Sequence, residues 1–232
     1  MPILNKDSNT FRKLNIVIID FKLSNLFSVA HACEYVGIDV MITSDPKDLD
    51  EADGIILPGV GAFADAMKNL DSLGLTQAIK KHIKKNKPFM GVCLGMQLLF
   101  ETSTEFGEHQ GLGVFKGSVR KFSNTPDTTE RMRIPHIGWD KIEIKKETSL
   151  FKGFKNSDYM YFVHSYFCIP EDRDIIATTT NYEGFEFVSA VSKNNVFAVQ
   201  FHPEKSGKDG PEIYRNFGKF VERCSDKKIV RD

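Results

Sequence analysis

The sequence lacks any excess of charge, because its 232 residues include 31 Lys and Arg against 31 Asp and Glu. A chain without a basic or acidic excess offers no bulk electrostatic reason to bind nucleic acid or an anionic membrane. It also lacks an apolar run of the roughly 20 residues that a membrane span needs. The first residues contain no long apolar core, so they do not resemble a secretory signal. We therefore expect no nucleic-acid partner and no membrane contact.

Cysteines are few and scattered. Cys33, Cys93, Cys168 and Cys224 form no CxxC pair and show no paired spacing. This distribution favours reduced thiols in the cytoplasm over a disulfide framework or a zinc site. A His-x-Glu pair near the C-terminus is the sole histidine–carboxylate grouping with suggestive spacing, so we predict no metal and no cofactor.

The order of apolar segments predicts the fold. The first half alternates strands (16–20, 40–43, 54–57, 88–92) with helices (25–36, 63–70, 75–85, and one that begins over 95–100). The second half consists mainly of strands (114–122, 141–144, 159–163, 175–180, 187–191, 196–200), before a helix at 210–223. Strand–helix alternation favours a parallel sheet with crossover helices, and period-two stretches joined by hairpin-like turns add antiparallel strands. We predict a three-layer, flavodoxin-like α/β domain with a mixed, mostly parallel sheet over 14–224, an extension at 1–13 and a tail at 225–232.

The segment "PFMGVCLGMQLLF" carries the sharpest chemical signal. A predicted strand runs into Cys93, a helix follows at once, and Gly91 and Gly95 flank the cysteine. This is the pattern of a nucleophile elbow with Cys in place of Ser. A thiol at a helix N-terminus is favoured as the thiolate, and the N–H of Leu94 is placed as an oxyanion donor. The alternative is a purely structural cysteine buried in the core, which is the commoner role of this residue.

A base for such a thiol stands in "VFAVQFHPEKS". His202 follows a predicted strand and Glu204 lies two residues further, so in an extended segment both side chains would point to one side. Pro203 disfavours a helix there. A carboxylate beside an imidazole fixes its tautomer and stabilises the imidazolium, which suggests a Cys-His-Glu triad. Taken alone, the His-Pro-Glu triplet would favour a surface histidine at a strand end.

A third segment, "IILPGVGAF", ends a buried strand in Pro58-Gly59-Val60-Gly61. Its glycines would let backbone N–H groups point into a site beside the elbow, because parallel strands share one C-terminal edge. An ordinary glycine-rich turn is the competing interpretation.

Together these motifs resemble the class I, triad-type glutamine amidotransferases. "LPGVGAF", "RIPHIGWD" and "YFVHSYF" narrow the resemblance to the glutaminase subunits of imidazole glycerol phosphate synthases, over residues 14 to 223. The resemblance implies that Cys93 attacks glutamine, His202 transfers the proton and Glu204 orients it. It implies an oxyanion hole formed by Gly59, Val60 and Leu94. It also implies a glutamine-binding group formed by Gln97, Glu105, Ser165 and Tyr166.

The resemblance also implies a partner. Ammonia would pass to a separate (β/α)₈ cyclase subunit that makes imidazole glycerol phosphate and aminoimidazole carboxamide ribonucleotide for histidine biosynthesis. Trp139, in an expected loop, and Lys205 match residues that face this subunit. The turn after the first strand would lie nearby, with Ser24 or Asn25 capping the next helix.

That turn departs from the family pattern Asp-Tyr-Gly-x-Gly-Asn, since Phe21, Lys22 and Ser24 replace the tyrosine and both glycines. Asp140 likewise replaces the usual asparagine after Trp139. Two alternatives therefore stay open: a paralogue that supplies ammonia to another synthase, such as one amidinating a surface-polysaccharide sugar, and a non-catalytic or hydrolase relative.

Overall fold

The structure, a computed structural model, describes residues 14–122 and 132–229. The expected extension at 1–13 lies outside these residues. The strands are β1 (Ile16–Ile19), β2 (Val40–Thr43), β3 (Gly54–Gly59), β4 (Phe89–Cys93), β5 (Phe100–Ser103), β6 (His109–Gln110), β7 (Phe115–Lys121), β8 (His136–Lys141), β9 (Glu143–Ile144), β10 (Tyr159–His164), β11 (Tyr166–Pro170), β12 (Ile176–Tyr182), β13 (Phe185–Lys193) and β14 (Val196–Val199). The helices are α1 (Leu26–Tyr35), α2 (Pro46–Glu51), α3 (Phe63–Ser72), α4 (Leu75–Lys84), α5 (Leu94–Gln97) and α6 (Pro211–Ile229). Two 3₁₀ turns span Arg173–Ile175 and Pro203–Lys205.

One large mixed sheet organises the described residues. Its main path runs β2-β1-β3-β4-β14-β13-β11-β7-β5-β6, and the first five strands of this path are parallel to one another. Strand β14, the last in the sequence, pairs with β4 in the parallel half of the sheet. It is joined to β13 by a hairpin whose last residue pair is Lys193 and Val196. Strands β8 and β10 form a separate antiparallel pair. The predicted α/β class and mixed sheet are confirmed.

Helices cover both faces of the parallel half of the sheet. Side chains alternate along each buried strand, so each strand contributes to the core on both faces. On β1, Ile16 and Ile18 belong to the core cluster that contains Phe217 of α6, whereas Val17 belongs to the cluster that contains Ile79 of α4. The continuous burial of β1, β3 and β4 is typical of parallel strands enclosed between helices. Among the described residues, no helix combines the length and apolar character needed to cross a membrane.

Several predicted boundaries were wrong. The helix predicted to begin over 95–100 is the single turn α5, and Phe100 begins β5 instead of belonging to a helix. Trp139 lies within β8 and not in a loop. The last helix runs on to Ile229, beyond its predicted end. Neither predicted cap acts on α1, because Asn25 makes no side-chain cap hydrogen bond and Ser24 Oγ instead donates to Pro58 O at 3.1 Å.

Candidate active site

A strained turn presents the candidate nucleophile. Cys93 ends β4 with φ 55° and ψ −111°, a left-handed φ that a residue with a side chain rarely adopts. The glycines are required by close packing: a Cβ at position 95 would lie 1.8 Å from Leu57 O, and one at position 91 would lie 2.7 Å from Gly95 O. The geometry is that of the expected elbow. Because α5 has only four residues, its dipole is weaker than the sequence suggested.

The neighbouring strand brings the histidine to the same edge of the sheet. Val199 of β14 pairs with Val92 of β4, so the residues that follow β14 lie beside Cys93. His202 is buried there, and its backbone N–H donates to Tyr161 O at 2.9 Å. The C-terminal edge of the parallel strands thus gathers residues from distant parts of the chain, as expected for α/β sheets.

Glu204 reaches His202 by a different route from the predicted one. Pro203–Lys205 forms a 3₁₀ turn with proline at its start, so the segment is not extended. The turn folds the carboxylate back, and His202 Nδ1 donates to Glu204 Oε1 at 2.7 Å. The two side chains are 3% and 2% exposed, which removes most solvent screening from this contact.

The protonation of His202 depends on its neighbours. Burial alone would lower its pKa, but negative charge on Cys93 and the adjacent Glu204 together raise it from 6.5 to about 10. Its Nε2 atom is buried and makes no aligned hydrogen bond to any described residue. The imidazolium therefore retains a proton near the sulfur, and tighter alignment on substrate binding is common for catalytic groups.

Tyr214 completes the support of the carboxylate and was missed by the sequence prediction. Its hydroxyl, on helix α6, donates to Glu204 Oε2 at 3.1 Å. The side chain is fully buried, and burial together with Glu204 raises the pKa of Tyr214 well above its usual value. Both carboxylate oxygens of Glu204 are thus held, which fixes its orientation toward His202.

The residues predicted for the oxyanion hole surround the elbow. Gly59 is the pairing partner of Cys93 between β3 and β4, and a Cβ on it would lie 3.0 Å from the Cβ of Leu94. Leu94 begins α5, where helix N–H groups lack intrahelical partners. Val60, however, donates its N–H to Leu23 O at 2.9 Å. That donor is directed to the turn after β1 and is not available to an oxyanion.

The turn after β1 keeps a left-handed residue although its glycine is replaced. Lys22 has φ 71°, and its backbone N–H and Nζ both bind the carboxylate of Asp20, at 2.9 and 2.7 Å. The Ser24 hydroxyl ties the same turn to Pro58 O. The turn is therefore bonded directly to the segment that carries Gly59 and Val60.

Three of the four residues predicted to hold glutamine lie together. Gln97 Nε2 donates to Tyr166 O at 3.1 Å, and Glu105 is close enough to contribute to the raised pKa of the Tyr166 hydroxyl, after burial. One oxygen of Glu105 accepts the N–H of Phe63, the first residue of α3, at 2.7 Å. Ser165 is half-buried and its carbonyl accepts from Phe122. The glutamine-binding role of these residues stays a prediction.

Two buried histidines continue this cluster toward β8. His164 Nδ1 donates to Tyr166 O at 2.8 Å, His136 Nδ1 and His164 Nε2 lie 3.0 Å apart, and His136 Nε2 lies 2.7 Å from Asp140 Oδ2. Burial lowers the pKa of both imidazoles, that of His164 to about 3. The Tyr166 carbonyl can only accept, so His164 donates through Nδ1, and its Nε2 is left to accept from His136 Nδ1.

An exposed aromatic surface lies beside the triad. We define the outer patch as Ile137, Trp139, Tyr161 and Lys205. Ile137 and Trp139 are 57% and 49% exposed on β8, and the Trp139 and Tyr161 rings meet edge to face at 5.9 Å. Lys205 Nζ lies 6.0 Å from the Tyr161 ring. The patch is joined to the active site through the 3₁₀ turn that holds Glu204.

Within residues 14–122 and 132–229, no three His, Cys, Asp or Glu side chains lie together in a group that could hold a metal ion. All four cysteines lie in these ranges and none forms a disulfide.

Comparisons with known proteins show which family the chain belongs to. The family model for glutamine amidotransferase class-I matches residues 17–220. The imidazole glycerol phosphate synthase subunit HisH of Aquifex aeolicus is 48% identical over 91% of this chain and 100% of its own length. The protein of the same name from Pyrococcus furiosus is 50% identical over 87% of this chain and 97% of its own length.

Solved structures share the fold at lower identity. PurLQS from Thermotoga maritima aligns with a TM-score of 0.70 and 20% identity, covering 90% of this chain and 100% of that one. The glutaminase domain of Trypanosoma brucei CTPS, with bound acivicin, aligns with a TM-score of 0.64 and 20% identity, covering 90% and 94%. These likenesses support the fold. The family model and the full-length relatives show that the chain belongs to the class-I glutamine amidotransferases, within the family of the imidazole glycerol phosphate synthase subunit HisH.

Proposed function

We propose that this chain hydrolyses glutamine and delivers the ammonia to a synthase subunit, as the glutaminase part of an imidazole glycerol phosphate synthase in histidine biosynthesis. The observation that carries the proposal is the buried Cys93–His202–Glu204 arrangement on a strained elbow, in a chain nearly half identical to full-length relatives of that name.

The first half-reaction forms a thioester. The Cys93 sulfur attacks the side-chain amide carbon of glutamine, and the carbonyl electrons move onto the oxygen. As the tetrahedral intermediate collapses, the proton on His202 Nε2 passes to the leaving nitrogen and ammonia departs. Glu204, held by Tyr214, stabilises the imidazolium before this transfer.

The second half-reaction releases glutamate. The now neutral imidazole of His202 takes a proton from water, and the resulting hydroxide attacks the thioester carbon. The carbon–sulfur bond breaks, glutamate leaves and the thiolate–imidazolium pair returns. Leu94 and Gly59, with Val60 once its N–H leaves Leu23 O, are the proposed donors to the oxyanion in both halves.

The substrate's amino-acid end would sit beside the elbow. Both N–H groups of Gln97 are used by the protein, so its oxygen is left to accept from the glutamine ammonium group. Glu105 supplies negative charge nearby, and the backbone of Ser165 and Tyr166 would clamp the same end. The cluster around Gln97 provides the polar contacts that such a ligand needs.

The outer patch is the proposed contact surface for the synthase subunit, which the family resemblance makes a (β/α)₈ cyclase. Exposed aromatic residues beside a cation are typical of interface anchors, and Trp139 and Lys205 are the central candidates. Lys22 and Ser24 would border this surface, since their turn contacts the oxyanion segment. We also infer a cytoplasmic location, because the cysteines form no disulfide.

A paralogue serving a different synthase is the second candidate. The replaced glycines at Lys22 and Ser24 motivated it, but Lys22 retains the left-handed conformation that a glycine would adopt there. Relatives at 41% to 50% identity from several organisms carry the HisH name, and this favours the histidine-pathway assignment.

The test is ammonia release from glutamine by the chain alone, with the cyclase subunit of imidazole glycerol phosphate synthase, and with a paralogous synthase. We expect hydrolysis that the cyclase subunit stimulates. Stimulation by the paralogous synthase alone would overturn the pathway assignment, and absence of hydrolysis under every condition would overturn the enzyme assignment.

A further inference from the structure

We propose that Gln200 is a positioning residue for the nucleophile, holding the Cys93 sulfur with a side-chain N–H whose direction is set through Gln97. The inference rests on the proposed glutaminase function and deepens it. It assigns a role to a residue that lies outside the triad, the oxyanion segment and the expected glutamine-binding group.

Gln200 lies in direct contact with the nucleophile. Its side chain is fully buried at the end of β14, and Nε2 donates to Cys93 Sγ at 3.7 Å. The backbone N–H of Gln200 donates to Ser189 O at 2.8 Å, which anchors the residue to β13. Gln200 and His202 both follow β14, whose last residue Val199 pairs with Val92, the residue before Cys93.

The orientation of the Gln200 amide follows from its neighbours. Tyr166 O can only accept a hydrogen bond, so the Gln97 side chain must turn its nitrogen toward that carbonyl, at 3.1 Å. The second N–H of Gln97 then faces Gln200 and requires an oxygen there, at 3.0 Å. The oxygen of Gln200 is thereby committed to Gln97, and its nitrogen must face the sulfur.

These hydrogen bonds direct a Gln200 N–H toward the Cys93 sulfur. The N–H stabilises the thiolate more than the thiol, because hydrogen bonds to ionised groups are roughly twice as strong as neutral ones. It also joins Cys93 to Gln97, the residue whose free oxygen would meet the glutamine ammonium group. Binding of substrate at Gln97 therefore strengthens the hydrogen bonds that link Gln97 to Gln200 and Gln200 to the Cys93 sulfur.

The experiment compares Gln200→Glu with Gln200→Met, and uses Gln77→Glu on the exposed face of α4 as the matched control. The Glu variant keeps an acceptor for Gln97 but loses the donor to sulfur, whereas the Met variant loses both. The first readout is the rate of Cys93 alkylation by iodoacetamide against pH, located by mass spectrometry in the full chain. The second is kcat and KM for glutamine in the complex with the cyclase subunit.

We expect the midpoint of the alkylation profile to move up by about one pH unit or more in both Gln200 variants, from the loss of one charge-assisted hydrogen bond. We expect kcat to fall about tenfold or more in Gln200→Glu, with a smaller change in KM because Gln97 keeps its acceptor. Thermal melting reports whether each variant folds, and Gln200→Met carries the test if Gln200→Glu does not.

An alkylation profile and kcat in a folded Gln200 variant that match those of Gln77→Glu would overturn the positioning role. A loss of melting temperature without any movement of the profile midpoint would also overturn it, since packing alone would then account for the residue. These outcomes differ from failure of the proposed function, in which the unsubstituted complex itself releases no ammonia from glutamine.

Discussion

Replacing Glu204 by glutamine removes the negative charge that faces His202 while preserving the size of the side chain. In the protein, His202 Nδ1 donates to Glu204 Oε1 at 2.7 Å, and both groups are almost completely buried. A hydrogen bond to a charged group is worth about 1.5–3 kcal/mol. If the imidazolium loses that stabilisation, kcat for glutamine should fall by about 10- to 100-fold, since each 1.36 kcal/mol corresponds to about tenfold in rate.

The same substitution has a pH signature. The pKa of His202 is raised from 6.5 to about 10 by Cys93 and Glu204 acting against burial. A raised pKa stabilises the folded protein fully below the unfolded value of 6.5, and this stabilisation is lost as the pH rises toward 10. Between pH 6 and 10, the free energy of unfolding of Glu204→Gln should therefore fall furthest below that of the unsubstituted protein at the acidic end, with the gap closing at the alkaline end.

The assay is steady-state glutamine hydrolysis by the complex, with denaturant unfolding across the same pH range. Glu212→Gln is the matched control, because Glu212 is a half-exposed carboxylate in the first turn of α6, where it pairs with Arg215. A kcat for Glu204→Gln within twofold of the control, together with an unchanged pH dependence of stability, would refute the role given to Glu204.

Three further outcomes follow from the geometry. Tyr214→Phe should lower kcat by about three- to tenfold by freeing one oxygen of the triad carboxylate, and unchanged kinetics would show that the hydroxyl is dispensable. Trp139→Ala should weaken binding of the cyclase subunit by at least about tenfold in calorimetry. Ile169 is an exposed apolar residue outside the outer patch, so Ile169→Ala should leave binding unaltered. Equal effects of the two substitutions would contradict the proposed surface. The isolated chain should hydrolyse glutamine at least about 100-fold more slowly than the complex, because the Val60 N–H is already donated to Leu23 O. One oxyanion donor is worth about 10²–10³ in kcat. Equal rates for the isolated chain and the complex would contradict this expectation.

Local patterns sufficed to predict the parallel half of the fold and the candidate triad. Apolar strands alternating with helices predicted β1, β3 and β4, and the spacing of two glycines about Cys93 predicted the elbow. The continuous apolar run after Cys93 misled the prediction, because periodicity does not separate a buried helix from a buried strand. The single turn α5 followed by β5 at Phe100 results from packing against β7.

Contacts between distant residues account for what the sequence did not predict. Tyr214 reaches Glu204 only because α6 packs across the sheet, and Val60 is engaged because the first turn lies beside β3. Gln200 did carry a usable signal, since it stands two residues before His202, and alternate residues of an extended segment share a face. Its bond to the sulfur nevertheless depends on Gln97, which lies 103 positions away in the chain.

The most direct test of the central claim uses Cys93→Ser in complex with the cyclase subunit, supplied first with glutamine and then with ammonium salt. If Cys93 serves only the release of ammonia from glutamine, synthesis with glutamine should be lost and synthesis with ammonia should be retained at the unsubstituted rate. Retained synthesis with glutamine, or loss of synthesis with ammonia in a complex that still assembles, would contradict the account.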